Sequence, residues 1–156
     1  MLYQYPPLAA ENCALIALHS HPCEAFRNLS KDWETRNRRC HKEYIVLVSC
    51  KSDNKKLGWE TVTTIMPNHI YGVARVKENV QAYHKPVDSN RQWDWLLEHI
   101  VILNKPVPVN APVGQGHVSP RQEHMRAMEL VNEQLKYTVC VVVLVLCVLM
   151  LLCGSV

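Results

Sequence analysis

The chain has 156 residues, 48% of them hydrophobic and 20% charged, with a formal net charge of +3. That length allows one domain of ordinary size plus an appendage and excludes a large multidomain assembly. The mild basic balance is compatible with a nucleic-acid partner without requiring one. Charge is unevenly spread: Tyr137–Val156 contains no charged residue, and Val139–Leu152 is Val, Leu, Cys and Met only. Nothing at the N-terminus reads as a secretory leader, because Met1–Gln4 is uncharged and Pro6-Pro7 interrupts any apolar run. The seven cysteines are therefore expected to be free thiols in a reducing compartment.

Met1–Glu11 is a Pro-containing lead-in without a strong period. Cys13–His19 is a short apolar run of the kind that forms a strand buried on both faces. Ser20 as cap and Pro22 in the first turn predict a helix over Pro22–Leu29, with Cys23, Phe26 and Leu29 facing the core. The chain then enters a strand through Ser30–Arg36, where Glu34 and Arg36 share one face and Trp33 and Thr35 the other. Lys31 can swing its stem over the charged face, and Trp33 is expected in the core.

A basic turn, Asn37–Lys42, leads to the strand Tyr44–Cys50, rich in β-branched residues. Lys51–Lys56 is a lysine-rich loop, and Gly58–Met66 carries no decisive pattern. Ile70–Val76 reads as a strand in which Gly72 marks a bulge or a close backbone approach. After an exposed connection at Val80–Asn90, Trp93–Leu97 is a short turn or strand start, and Glu98–Leu103 is a strand. Pro106 and Pro108 hold Lys105–Val109 extended, and Gly114-Gln115-Gly116 marks a turn. Ser119-Pro120-Arg121-Gln122 is a helix start, and Met125, Met128, Val131 and Leu135 form the apolar stripe of a helix over Pro120–Lys136. The order of elements predicts an α+β fold: a small, twisted, mostly antiparallel barrel with helices packed on it.

Lys31, Glu34 and Arg36 place one carboxylate between two cations. A carboxylate so held stays ionised, and the set offers donors and acceptors suited to a nucleobase or a phosphate. The same residues also suit a solvated ion-pair strip, to which exposed pairs contribute little. Arg38, Arg39 and Lys42, with Lys51, Lys55 and Lys56, could follow a phosphate backbone, while any single lysine among them equally suits an ordinary solvated surface.

The Leu15-Ile16 strand, the Pro22 helix start, Lys31-x-x-Glu34-x-Arg36, the Tyr44–Cys50 strand, Tyr71-Gly72-Val73-Ala74 and Lys105-Pro106-Val107-Pro108-Val109 together resemble the ASCH domain of the PUA-like superfamily. The likeness covers residues 12–118, between the lead-in 1–11, the amphipathic helix 119–136 and the tail 137–156. The family signature is Gly-x-Lys-x-x-Glu-x-Arg. Here Leu29 stands at the glycine position, where glycine would allow a positive φ. The resemblance implies a β-barrel with a cleft beside the helix, in which Lys31, Glu34 and Arg36 bind RNA or a modified nucleoside without a cofactor.

Some small bacterial members are amidohydrolases that remove the acetyl group from acetylated cytidine, with a lysine, a threonine three residues later and a distant glutamate. Lys31 matches the lysine, but Glu34 stands where the threonine would be, and Thr35 would face away. Glu78 and Glu98 are the candidates for the distant carboxylate. A salt-bridged lysine keeps its proton and is a poor nucleophile or base. Binding is therefore favoured over a catalytic role for Lys31 and Glu34.

His19, His21, Cys23, Cys40 and His41 lack the pair spacing of a zinc site, so no metal is expected. Residues 137–156 as a helix would span about 30 Å, the thickness of a bilayer core. They are read as a single-pass tail anchor with the N-terminal domain in the cytoplasm, Lys136 standing at the entrance. A cytoplasmic protein with an unusual extension is the other reading. A third function class, a membrane-tethered interaction protein using the barrel as a scaffold, also stays open.

Overall fold

A computed structural model describes residues 3–50, 65–81, 93–110 and 117–137. Its elements are β1 (Cys13–Leu18), α1 (Ser20–Arg27), β2 (Trp33–Arg36), β3 (Tyr44–Ser49), β4 (His69–Gln81), β5 (Trp93–Pro108), β6 (His117–Val118) and a 3-10 turn (Gln122–His124). A second helix, α2, follows over residues 125–137. The loop lysines Lys51, Lys55 and Lys56, and all of the apolar tail beyond Tyr137, lie outside the described residues.

The strands form one sheet in the order β2-β5-β4-β3-β1-β6. β1 and β3 run parallel, and every other neighbouring pair is antiparallel. The expected barrel is thus corrected to an open, mixed sheet, with β2 and β6 at its two edges among the described residues. The sheet nevertheless curls. Arg36 on edge strand β2 reaches the carbonyl of Ala17 on β1 at 2.9 Å, although three strands separate them in the sheet order. A side chain, not a backbone ladder, spans that seam.

β1 and β3 are buried at every position, because each face of the sheet has its own core. Ile16, Leu18, Ile45, Leu47, Tyr71, Trp95 and Leu97 pack with Cys23 and Phe26 of α1. Leu15, Val46, Val48, Ile70, Val73 and Val107 pack on the other face with Ala127, Met128, Val131 and Leu135 of α2. Each fully buried aliphatic side chain contributes about 1.5–3 kcal/mol. Met125, expected in the stripe of α2, is exposed instead, because the α-helix begins only there after a 3-10 turn. At that turn His124 Nδ1 accepts the backbone N–H of Arg121 at 3.0 Å, in place of the Ser119 and Gln122 caps that the sequence predicts.

The three segments expected between Trp93 and Val109 are one long strand, β5. β2 covers only Trp93–Leu96 of it, so Pro106 and Pro108 stand on a stretch whose outer side carries no strand among the described residues, where a missing N–H is tolerated. There Gln134 of α2 bonds both the N–H and the carbonyl of Lys105, at 3.1 and 2.9 Å. The β4–β5 ladder slips in three places. One slip carries His99 at φ 51, a left-handed conformation of the kind found in one class of bulge. At Gly72 an added Cβ would lie 2.7 Å from the Val101 carbonyl oxygen, so the glycine marks the close approach expected of it.

Candidate functional site

The site is built where α1 ends and β2 begins. Asn28 closes the helix, Leu29 adopts φ 53, and the amides of Leu29 and Ser30 bond the carbonyls of Phe26 and Ala25 at 3.0 Å each. These are the two reversed bonds of a Schellman motif, whose left-handed residue is usually glycine. The turn at the signature's glycine position is therefore present, and a leucine bears it. It turns the chain so that Lys31 starts at the end of α1 and Glu34 enters the sheet.

On β2, Glu34 stands opposite Trp95 and Arg36 opposite Trp93, while Trp33 faces Leu96 and Thr35 faces Asp94. The alternation expected from the sequence is observed, but its two faces are exchanged. Glu34 is 7% exposed and Trp33 is 46% exposed. The reason is electrostatic. Lys31 Nζ lies 2.7 Å from Glu34 Oε2 and Arg36 Nη2 lies 3.0 Å from Oε1, so each carboxylate oxygen meets a cation and the group can be buried. Beneath it Trp95 is fully buried, with its indole N–H donated to the Arg38 carbonyl at 2.8 Å.

Lys31 is held by more than the carboxylate. Its ammonium lies 5.2 Å from the centroid of the Phe26 ring and 4.7 Å from that of Trp33, both within cation–π range. Lys31, Glu34 and Arg36 thus converge at the seam of the curled sheet, with Arg36 tied to β1 through Ala17. The same seam brings together the ends of β1 and β3, where Cys50 Sγ lies 3.8 Å from His19 Nδ1. Burial pushes the Cys23 thiol on α1 up to about 12. Burial also raises Cys50, against its own backbone hydrogen bond and the charge of Arg36.

The basic turn behaves less uniformly than its sequence. The Arg39 guanidinium lies 4.0 Å over the Trp93 ring, and Arg38 is exposed. Lys42 donates to the carbonyls of Ala10 and Glu11 at 2.8 and 3.1 Å, which pins the lead-in. Among the distant carboxylates, Glu98 is engaged by Arg75 at 2.8 Å, and Glu78 is exposed on β4. Thr35 donates to Asp94 at 2.5 Å, on the face away from Glu34. Cys23 belongs to the core on α1, and Cys40 bonds the Lys42 carbonyl. No three metal-binding side chains gather among the described residues. The exposure of Trp33 is the feature that sequence reasoning missed. Its only signal was the charge of its neighbours, which is too strong to bury without mutual pairing.

The curled mixed sheet, with a helix on each face and this seam between β1 and β2, is an ASCH-like fold. It is similar to the crystal structure of ASCH from Zymomonas mobilis, with a TM-score of 0.53 and 14% identity, covering 76% of this chain and 94% of that one. A serine-to-alanine mutant of the same protein gives 0.54 and 14%, covering 80% and 99%. A tyrosine-to-phenylalanine mutant gives 0.53 and 15%, covering 77% and 96%. No protein-family model matches the chain, and no curated protein matches its sequence.

Proposed function

We propose that the chain binds RNA or a modified nucleoside at the seam, through Lys31, Glu34 and Arg36. One observation carries the reading: a carboxylate 7% exposed is bracketed by two cations at the open edge of an ASCH-like sheet. A carboxylate fixed in that way is an acceptor for a base N–H, Lys31 retains further N–H groups for a carbonyl or a phosphate, and Arg36 holds the carboxylate in place. Arg38 and Arg39 lie just beyond on the chain and extend the positive charge along the path of a backbone. Lys42 contributes less, being engaged with the lead-in.

The test is fluorescence anisotropy with a labelled single-stranded oligonucleotide and the full-length chain. Lys31→Met weakens binding about tenfold, as loss of one charge-assisted contact does, with unchanged circular dichroism. Equal affinity in the variant and the parent removes the proposal. Incubation with acetylated cytidine separates the amidohydrolase reading: turnover abolished by Lys31→Met would favour the enzyme, and indifference in both assays would favour a scaffold.

We also propose that residues 137–156 tether the domain to a membrane, since they carry no charge. Among the described residues no helix is long and apolar enough to cross a bilayer. Removal of 138–156 is expected to release the protein from the membrane fraction, and a parent chain that is already soluble contradicts the tether.

A further inference from the structure

We propose that Trp33 is a stacking platform for an unpaired base, which makes the site selective for single-stranded RNA over duplex. The inference rests on the binding reading above and adds the ligand's form to it. Trp33 is 46% exposed on an edge strand whose outer side pairs with no other strand among the described residues. A large indole left in water beside a buried carboxylate is the reverse of the usual partition. The arrangement also holds the ring ready. Trp33 is fixed by pairing with Leu96, and Lys31 lies over its ring at 4.7 Å while bonding Glu34 at 2.7 Å.

A base stacked on the remaining surface would bring its own phosphate within the field of that ammonium. Stacking therefore adds to the polar contacts of Glu34 and Arg36 without competing for them. Leu29, 68% exposed and held at φ 53 two residues before Lys31, adds apolar surface to the same turn. Within an A-form duplex the bases are stacked on one another, so no face is open to an indole. Every base has a π-face, so the platform selects strandedness and tolerates sequence.

The experiment titrates the full-length chain into a short labelled oligoadenylate, and separately into a duplex of the same length. Trp33→Ala is expected to weaken single-strand binding roughly ten- to hundredfold, the range found for one base–aromatic stack. Trp33→Phe retains affinity within about threefold, since a phenyl ring still stacks. The parent prefers the single strand. If Trp33→Ala binds like the parent while Lys31→Met does not, the platform is refuted and the binding site stands. Equal affinity for duplex and single strand also refutes the platform. If both variants bind like the parent, or the parent binds neither probe, the RNA reading of the site fails with it.

Discussion

Glu34 is a carboxylate inside a sheet, and its two cations make that position tolerable. Removing the charge while keeping the shape leaves Lys31 and Arg36 facing each other, with side chains only 18% and 10% exposed. Glu34→Gln is therefore expected to destabilise the fold by about 2–4 kcal/mol, toward the lower part of the range for broken buried pairs because Lys31 can move toward solvent. A fall in the urea midpoint measures it, and an unchanged midpoint would mean the strip is merely a surface feature. Leu29 offers the opposite sign. Its left-handed backbone is disfavoured for an L-residue, and its exposed side chain gives little packing in return. Leu29→Gly should raise stability by about 0.5–1 kcal/mol after the extra freedom glycine gives the unfolded chain. Thermal denaturation would show it as a rise in Tm. The sequence pointed to this position as a departure from a glycine, but only the two reversed hydrogen bonds show that the turn was kept.

At the scale of elements, β4 and β5 form the spine of the sheet, and Gly72 is a point where their backbones approach closely. An added methyl there would meet the Val101 carbonyl oxygen at 2.7 Å and Ile102 Cδ1 at 3.2 Å. The first of these is backbone and cannot swing aside. Gly72→Ala should accordingly lose about 2–3 kcal/mol, as overpacked sites do. Denaturation of the variant by guanidinium tests the value, and a loss below a few tenths would show that the two strands can separate locally. Most elements were legible because burial imprints itself on pattern: β1 and β3 are continuous apolar runs buried on both sides, and α2 keeps the 3.6-residue period of Met128, Val131 and Leu135. What pattern could not show was that the segments around His99 and Pro106 join into one strand. Bulges break the period-two alternation while the chain stays extended.

For the whole molecule, the two cores bury thiols on opposite faces of one sheet. Burial pushes Cys13 and Cys23 each up to about 12, well above an unfolded thiol near 8.5–9. The folded state then holds protons that the unfolded chain releases. Stability is complete below about pH 9 and falls as pH rises from there toward 12, by about 1.4 kcal/mol per pH unit for each such thiol. The earliest part of this loss, before tyrosines with a midpoint near pH 10 ionise appreciably, belongs to the thiols, with Cys40 and Cys50 also raised by burial. Urea midpoints across pH 8–10 test it: the parent should lose stability over that interval, and Cys13→Ala with Cys23→Ala should make the slope shallower, most clearly in its lower half. An equally steep slope in the double variant would assign the effect elsewhere.

The sequence by itself determined the local elements and the charged triplet Lys31, Glu34 and Arg36. Apolar period, capping residues and proline positions act over a few neighbours, and those are written along the chain. It also determined the alternation of β2, with Glu34 and Arg36 on one face and Trp33 on the other. Tertiary structure decided which of those faces is inside. That choice depends on whether two cations from different parts of the backbone can meet one carboxylate, and on a helix end that turns at Leu29 to aim Lys31. Tertiary structure also left the sheet open. Its curl brings β1 and β2 close enough for the Arg36 side chain to bridge them, but not for their backbones to pair, and the seam so formed is where the charged residues and the exposed Trp33 meet.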